Sequence, residues 1–426
     1  MLSLSKQGGL DDIRLTMINI AILHYSCPPV VGGVEEIVRQ QASLLYRYYH
    51  PVKVVAGSGS QFTEDFAIEI NPLLSSRQPE ILKLQQDPTE NYEGIREMTG
   101  TIFKYLNGSL QNFDILISHN VLSMHYNLPL TLALHKLANT KTIKVVNWNH
   151  DSPYFYKNYS KEIEEKPWSI LKKYNPNMSY ITISPSRAKQ FQSLYKTKKE
   201  ITVIPNGIGP VRVFSLGKTA MRLIKENNLF TAGLLMIQPS RLHPRKNVEF
   251  SIEVLRAFHD KGIQAKLILA GAYDPHERRT SHYYNKLKDL AESLQVQEHF
   301  IILADYVFES GEKMITDWDT IRDIYQISDF LFMPSKQEGF GIPLLEAGML
   351  KLPIACSDID PFKSIAGKDA FYFSLKDHPK EIAEKVLEYL EQLRPHRMYR
   401  KVFRNYLWDN IYNDLLNPFL EKIVNT

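Results

Sequence analysis

A chain of 426 residues exceeds what one hydrophobic core usually supports, so two domains are expected, and 44% apolar with 23% charged residues is the balance of a folded globular protein, not of a disordered, collagenous or coiled-coil chain. A formal net charge of +4 is too small for the broad basic field of a nucleic-acid or membrane-surface protein, so any anion site must be local. Two cysteines, Cys27 and Cys356, give neither a disulfide framework nor metal-ligand spacing, and no run reaches the roughly 18 apolar residues of a membrane span; a cytoplasmic protein with no nucleic-acid partner and no stable membrane insertion is expected.

Residues 1–16 lack the apolar core of a signal peptide and precede a second methionine, Met17, so they are set apart as a tail. From there short β-branched runs alternate with helix-period segments, the pattern of parallel sheets covered by helices. INIAIL (18–23), VKVVAG (52–57), DILISH (114–119), IKVVNW (143–148) and YITIS (180–184) predict five strands of one doubly wound domain over 17–209. VIPNGIGPVRVF, rich in Pro and Gly, reads as the linker. LLMIQPS (234–240), AKLILAG (265–271), FIILAD (300–305), FLFMPS (330–335), PIACSD (353–358) and AFYFS (370–374) predict a second such domain over 210–403. The segment 404–426 reads as an amphipathic helix whose stripe is Tyr406, Leu407, Ile411, Tyr412, Leu415, Leu416, Phe419 and Ile423. No basic amphipathic helix is read anywhere, which favours a soluble acceptor molecule over a membrane lipid.

Ligands of open α/β sheets lie beyond the carboxyl ends of the strands, so the residues just after each strand are the ones to inspect. After the first strand, Gly32 and Gly33 precede a helix, where a phosphate could approach bare backbone N–H groups; the plain alternative is a tight turn needing positive φ, with Glu35 and Glu36 complementing the helix dipole. This is not the GxGxxG of a dinucleotide fold, which lowers a dehydrogenase reading. In PSRLHPRKN, Arg241, Arg245 and Lys246 sit before a helix N-terminus, an unfavourable place for cations unless an anion lies between them; side chains snorkelling into water are the alternative.

EGFGIPLLE says most. Glycines on both sides of Phe340 allow the loop Glu338, Gly339, Phe340, Gly341, Ile342 to wrap a ligand, and Pro343 suits the start of a helix. Carboxylates at Glu338 and Glu346 can accept hydrogen bonds from vicinal hydroxyls, one pair from a sugar and one from a ribose, although Glu346 alone would also serve as a first-turn dipole partner. In the first domain His150 could bond a hydroxyl, with Asp151 holding its tautomer or the acceptor; His119 and Asn120 are lesser, more structural candidates.

Together Gly32-Gly33, His150-Asp151, VIPNGI, PSRLHPRKN, LILAG and EGFGIPLLE resemble glycosyltransferase family 4, the retaining GT-B enzymes, over nearly the whole chain. The resemblance implies two Rossmann-like domains facing across a cleft, with the C-terminal helix crossing back to the first. It implies a hexosyltransferase whose donor, a UDP- or GDP-sugar, has its diphosphate held by Arg241 and Lys246. Glu338 and His150 would meet the sugar and Glu346 the ribose, and Gly32, Gly33, Gly339, Phe340, Gly341 and Ile342 would line the donor site. The acceptor would be a sugar, polyol or glycoconjugate, and the leaving diphosphate itself would take the acceptor proton. No cofactor or metal is expected: Asp317-Trp318-Asp319 and Asp358-Ile359-Asp360 have the DxD form but read as caps. The nucleotide base would be read by backbone near Leu303 to Tyr306. A GT-B epimerase, a phosphorylase and a non-catalytic sugar-nucleotide-binding regulator remain alternatives.

Overall fold

The computed structural model describes residues 17–159, 161–271 and 278–425; the predicted tail lies outside them. The chain forms two units, one running to Ile208 and resuming at Tyr406, the other spanning Gly209–Asn405.

The first unit is built on a parallel sheet of β1 (Ile20–His24), β2 (Val52–Ala56), β3 (Ala67–Ile70), β4 (Ile115–His119), β5 (Lys144–Asn149), β6 (Met178–Thr182) and β7 (Thr202–Val203), in the order β3-β2-β1-β4-β5-β6-β7. Seven strands replace the five expected. The two additions carry little sequence signal, because Ala67 and Ile70 at the sheet edge are exposed and β7 has only two residues. Alternate residues of each strand feed opposite layers. Ile20, Ile22 and Val54 pack beneath the helix Gly33–Arg47, while Ala21, Leu23 and Val55 pack against the helices Tyr92–Ser109 and Leu128–Thr140. With both faces covered, alternation disappears from the sequence and near-continuous apolar runs remain.

The second unit repeats the plan with β8 (Leu234–Gln238), β9 (Ala265–Leu269), β10 (Phe300–Ile302), β11 (Phe330–Met333), β12 (Ile354–Ser357) and β13 (Phe371–Phe373), parallel and ordered β10-β9-β8-β11-β12-β13. All six expected strands are present. In both sheets the order reverses beside the first strand, between β1 and β4 and between β8 and β11, which places a topological switch point at their carboxyl ends.

The C-terminal segment packs on the first unit. Leu407 bridges to Ile208, and a helix runs from Trp408 to Val424 with one wide turn at Tyr412–Leu416. Trp408 donates to Gln40 Oε1 at 2.5 Å, and the Tyr412 ring stacks on Tyr48 with centroids 3.7 Å apart. The wide turn shifts the helix register, so Leu415 is exposed and the buried stripe is Leu407, Trp408, Ile411, Tyr412, Leu416, Leu420 and Ile423. A regular 3.6-residue period does not anticipate that shift. No helix among the described residues is long and apolar enough to cross a membrane.

Candidate functional site

In the second unit two loops meet at the β8/β11 switch point. The first leaves β8 through a tight turn in which Ser240 N–H donates to the Gln238 carbonyl at 2.9 Å. Gly271, at the end of β9, lies so close beneath this turn that an added Cβ would come within 1.8 Å of the Ser240 carbonyl oxygen; no side chain fits there. The short helix Pro244–Lys246 follows, and its last carbonyl is held by the buried Gln238 amide at 3.0 Å. The second loop, after β11, is tied to the first by Lys336 N–H donating to the Arg245 carbonyl at 2.8 Å.

Between these loops lies Glu338, its side chain only 7% exposed. Its carboxylate accepts from Lys246 Nζ at 2.5 Å and from Ser335 Oγ at 2.7 Å, and Arg245 stands 3.9 Å away. The anion that the cation cluster calls for is therefore supplied within the chain. Arg241 is exposed on the same loop. Two cations, Arg245 and Lys246, stand against the one carboxylate of Glu338, and this surplus of positive charge suits a diphosphate.

Gly339 has open space where a Cβ would stand, and Phe340 and Ile342 are exposed. Gly341 has φ of 125°, a conformation that favours glycine, and the Phe362 ring, 3.1 Å from an ideal Cβ, crowds the position. The helix begins at Ile342, which puts Glu346 in its second turn and removes the first-turn dipole reading. Glu346 accepts from Tyr325 Oη at 2.7 Å, and burial, reinforced by this bond, raises the phenol well above its usual range. Of the DxD triplets, Asp317 caps a helix by accepting from Thr320 N–H at 2.8 Å, Asp319 pairs with Arg322 at 2.8 Å, and Asp358 pairs with Lys363. The Leu303 carbonyl and Tyr306 N–H are bonded to each other at 3.3 Å, which reduces what that stretch offers a nucleotide base.

In the first unit three imidazoles stand at three neighbouring strand ends: His24 on β1, His119 on β4 and His150 after β5. All three are buried. His119 bonds Gln41 Oε1 through Nε2 at 2.7 Å and His150 Nε2 through Nδ1 at 3.0 Å, while its ring stacks on Trp148. His150 Nδ1 faces the Asn206 amide at 3.4 Å. Gln41, His119, His150 and Asn206 thus form one chain in which each imidazole is engaged at both ring nitrogens, donating through one and accepting through the other. Burial, with His24 adding to it, lowers the His150 pKa to about 3, and burial likewise keeps His119 and His24 neutral.

Asp151 does not hold the His150 tautomer. It pairs with Arg187 at 2.9 Å and accepts from Tyr156 Oη at 2.7 Å. Asn120, at φ 51°, instead orders the segment by accepting from the backbone N–H groups of His150 and Asp151 at 3.0 and 2.8 Å. Neither glycine of the pair has positive φ, so the tight-turn alternative does not apply. Gly32 is extended at φ −167° with the Glu35 carboxylate folded over it, and Gly33 is the first residue of the helix. Ser26 donates to that carboxylate at 2.6 Å. Gln41 and His24 escaped the sequence reading. Gln41 carried a signal: it lies on the buried helix stripe with Val38, Ala42 and Leu45, where a polar side chain needs a partner.

Comparison with known proteins agrees with this layout. The model for glycosyl transferases group 1 matches residues 221–405, and that for Glycosyltransferase Family 4 matches 31–212. The mannosylglucosylglycerate synthase of Thermotoga maritima is 23% identical over 378 residues, 84% of this chain and 85% of its own length. The protein of that name from Petrotoga mobilis is 23% identical over 278 residues, 60% of this chain and 61% of its own length. The serotype-specific mannosyltransferase WbdA of Escherichia coli is 44% identical over 70 residues, 16% of this chain and 8% of its own length. With one family model on each of its two Rossmann-like units, the chain belongs to glycosyltransferase family 4 and is a glycosyltransferase of the GT-B class.

Proposed function

We propose that this glycosyltransferase moves a hexosyl group from a nucleoside-diphosphate sugar to a hydroxyl acceptor with retention of configuration and without a metal ion. The observation that carries the donor reading is the cationic surplus around Glu338, preorganised where negative charge develops as the diphosphate departs. The bond from the anomeric carbon to the distal phosphate breaks, the bond to the acceptor oxygen forms on the same face, and the acceptor proton passes to the departing phosphate. Lys246 and Arg241 stabilise that phosphate, Glu338 orients Lys246 and accepts from a sugar hydroxyl, and Glu346 accepts from the ribose. His150, neutral and positioned by His119 and Asn206, is suited to a hydrogen bond with a substrate hydroxyl and not to acid catalysis. The names of the relatives support mannose as the donor sugar to try first.

Thermal-shift measurements with UDP, GDP, ADP and their sugar conjugates test the donor site. Stabilisation by one nucleotide family, lost in Arg241→Ala and Glu346→Ala, is expected; no shift with any nucleotide would favour a non-catalytic role. The anomeric configuration of the product, read by NMR, checks retention. Complete, reversible loss of turnover with EDTA would overturn the metal-free reading.

A further inference from the structure

The helix Arg394–Asn405 contradicts the expectation that no basic amphipathic helix is present. Between Glu391 and Asp409 the sequence contains no acidic residue. At 100° per residue, Arg394, Arg397, Lys401 and Arg404 fall within one arc of roughly 80°, with Met398 and Asn405 at its edge. All six side chains are exposed, Met398 by 56%.

The opposite arc is anchored in the second unit. His396 and Arg400 meet the buried Asp329 carboxylate at 3.0 and 3.2 Å, Arg400 also donates to the carbonyls of Ala232 and Gly233 at 3.0 and 2.6 Å, Tyr399 donates to the Ile327 carbonyl at 2.6 Å, and Phe403 is buried. The cationic arc is thus presented by a fixed helix. Nothing in the donor chemistry uses it.

We propose that this arc is a docking surface for an anionic lipid membrane. Its four cations lie in a line about 15 Å long, which matches an extended field of phosphates better than a single point anion. A recess of about 580 Å³ beside the line, bordered by Arg397, Arg400, Lys401, Arg404 and the turn at Gly262, gives a headgroup phosphate a seat, with Glu391 its one acidic border. Met398 offers an apolar tip at the level of the cations, as peripheral helices do at the headgroup boundary. A nucleic-acid partner fits less well, because no aromatic side chain lies on the arc for base stacking and the whole chain carries only +4. Adsorption of this kind needs no membrane-spanning helix.

Co-sedimentation of the full chain with vesicles of phosphatidylglycerol and phosphatidylcholine, against phosphatidylcholine alone, tests the proposal. Binding only to the anionic vesicles, falling steeply with added salt, is expected. The quadruple variant Arg394→Gln, Arg397→Gln, Lys401→Gln, Arg404→Gln should bind at least a hundredfold more weakly, at roughly fivefold per cation. A charge-matched variant, Lys83→Gln, Lys104→Gln, Lys198→Gln, Lys385→Gln, should bind like the wild type, and Met398→Asp should weaken binding with an unchanged melting temperature. Equal binding to neutral vesicles, or equal loss in both quadruple variants, overturns the proposal. So does a gel shift with RNA that the Arg394 variant abolishes in the absence of vesicle binding, or stabilisation by millimolar inorganic phosphate without it.

Discussion

The two Rossmann-like units put opposite chemistries at the same topological place. At the switch point of the first, three imidazoles are buried and held neutral: His119 bonds Gln41 and His150, His150 faces Asn206, and His24 bonds the His119 carbonyl at 2.7 Å, with the Glu35 carboxylate 3.8 Å from His24 as the nearby charge. At the switch point of the second, cations outnumber the one nearly buried carboxylate that organises them. One fold therefore supplies a neutral imidazole cluster in one unit and stored positive charge in the other; the strand ends fix position and the loop residues fix chemistry.

The largest effect that separates the two should come from acid. Histidines unfold to a pKa near 6.5, whereas His24, His119 and His150 resist protonation in the fold, so above about pH 6.5 neither state is charged and no penalty exists. As pH falls below that value the unfolded chain takes up protons that the fold refuses, and each histidine costs up to about 1.4 kcal/mol per pH unit until its folded pKa is reached. Three of the four tryptophans, Trp148, Trp168 and Trp408, belong to the first unit, so their fluorescence should report its loss early in an acid titration. Equal stability at pH 7.5 and pH 5 would break the comparison.

Next in size is Lys246→Ala, expected to lower kcat by about 10²–10³ by removing preorganised charge, about 3–4 kcal/mol of transition-state stabilisation. A loss under tenfold would move the charge-stabilising role to Arg241 or Arg245. His150→Gln, by contrast, should leave the shape of the pH–rate profile between pH 6 and 8 unchanged, since the imidazole does not titrate there. His119→Leu should cost about 2–3 kcal/mol in urea unfolding, because Gln41 and His150 would each lose a buried partner. A cost below about 0.5 kcal/mol would show that water replaces the ring. The smallest effect is Tyr325→Phe, which deletes one hydrogen bond to Glu346; about 1 kcal/mol of nucleotide affinity should be lost through a less well positioned carboxylate, measurable by calorimetry.

Much of this was legible in the chain. Apolar runs bounded by Pro, Gly and polar residues marked every long strand, because strands covered on both faces carry their signal locally; β3 and β7 were missed because an exposed edge and a two-residue strand have none. The glycines flanking Phe340 were legible as a loop able to wrap a ligand, whereas the Phe362 ring that crowds Gly341 is a tertiary neighbour. The C-terminal helix was legible as amphipathic, but its face was not, since the wide turn at Tyr412–Leu416 changes the register. The basic arc of Arg394–Asn405 was available as a spacing of cations and went unread because the net charge of the whole chain conceals it.

The two α/β units, the strand-end loops and the charge of each loop are written locally in the chain. The pairings come from the three-dimensional fold: Lys246 with Glu338 across 92 residues, His119 with Gln41 across 78, His119 with His150 across 31, and Asp151 with Arg187 instead of His150. Strand order, which no local pattern encodes, brings each pair together at the carboxyl edge of its own sheet, and burial there then forces each polar group to take the partner within reach.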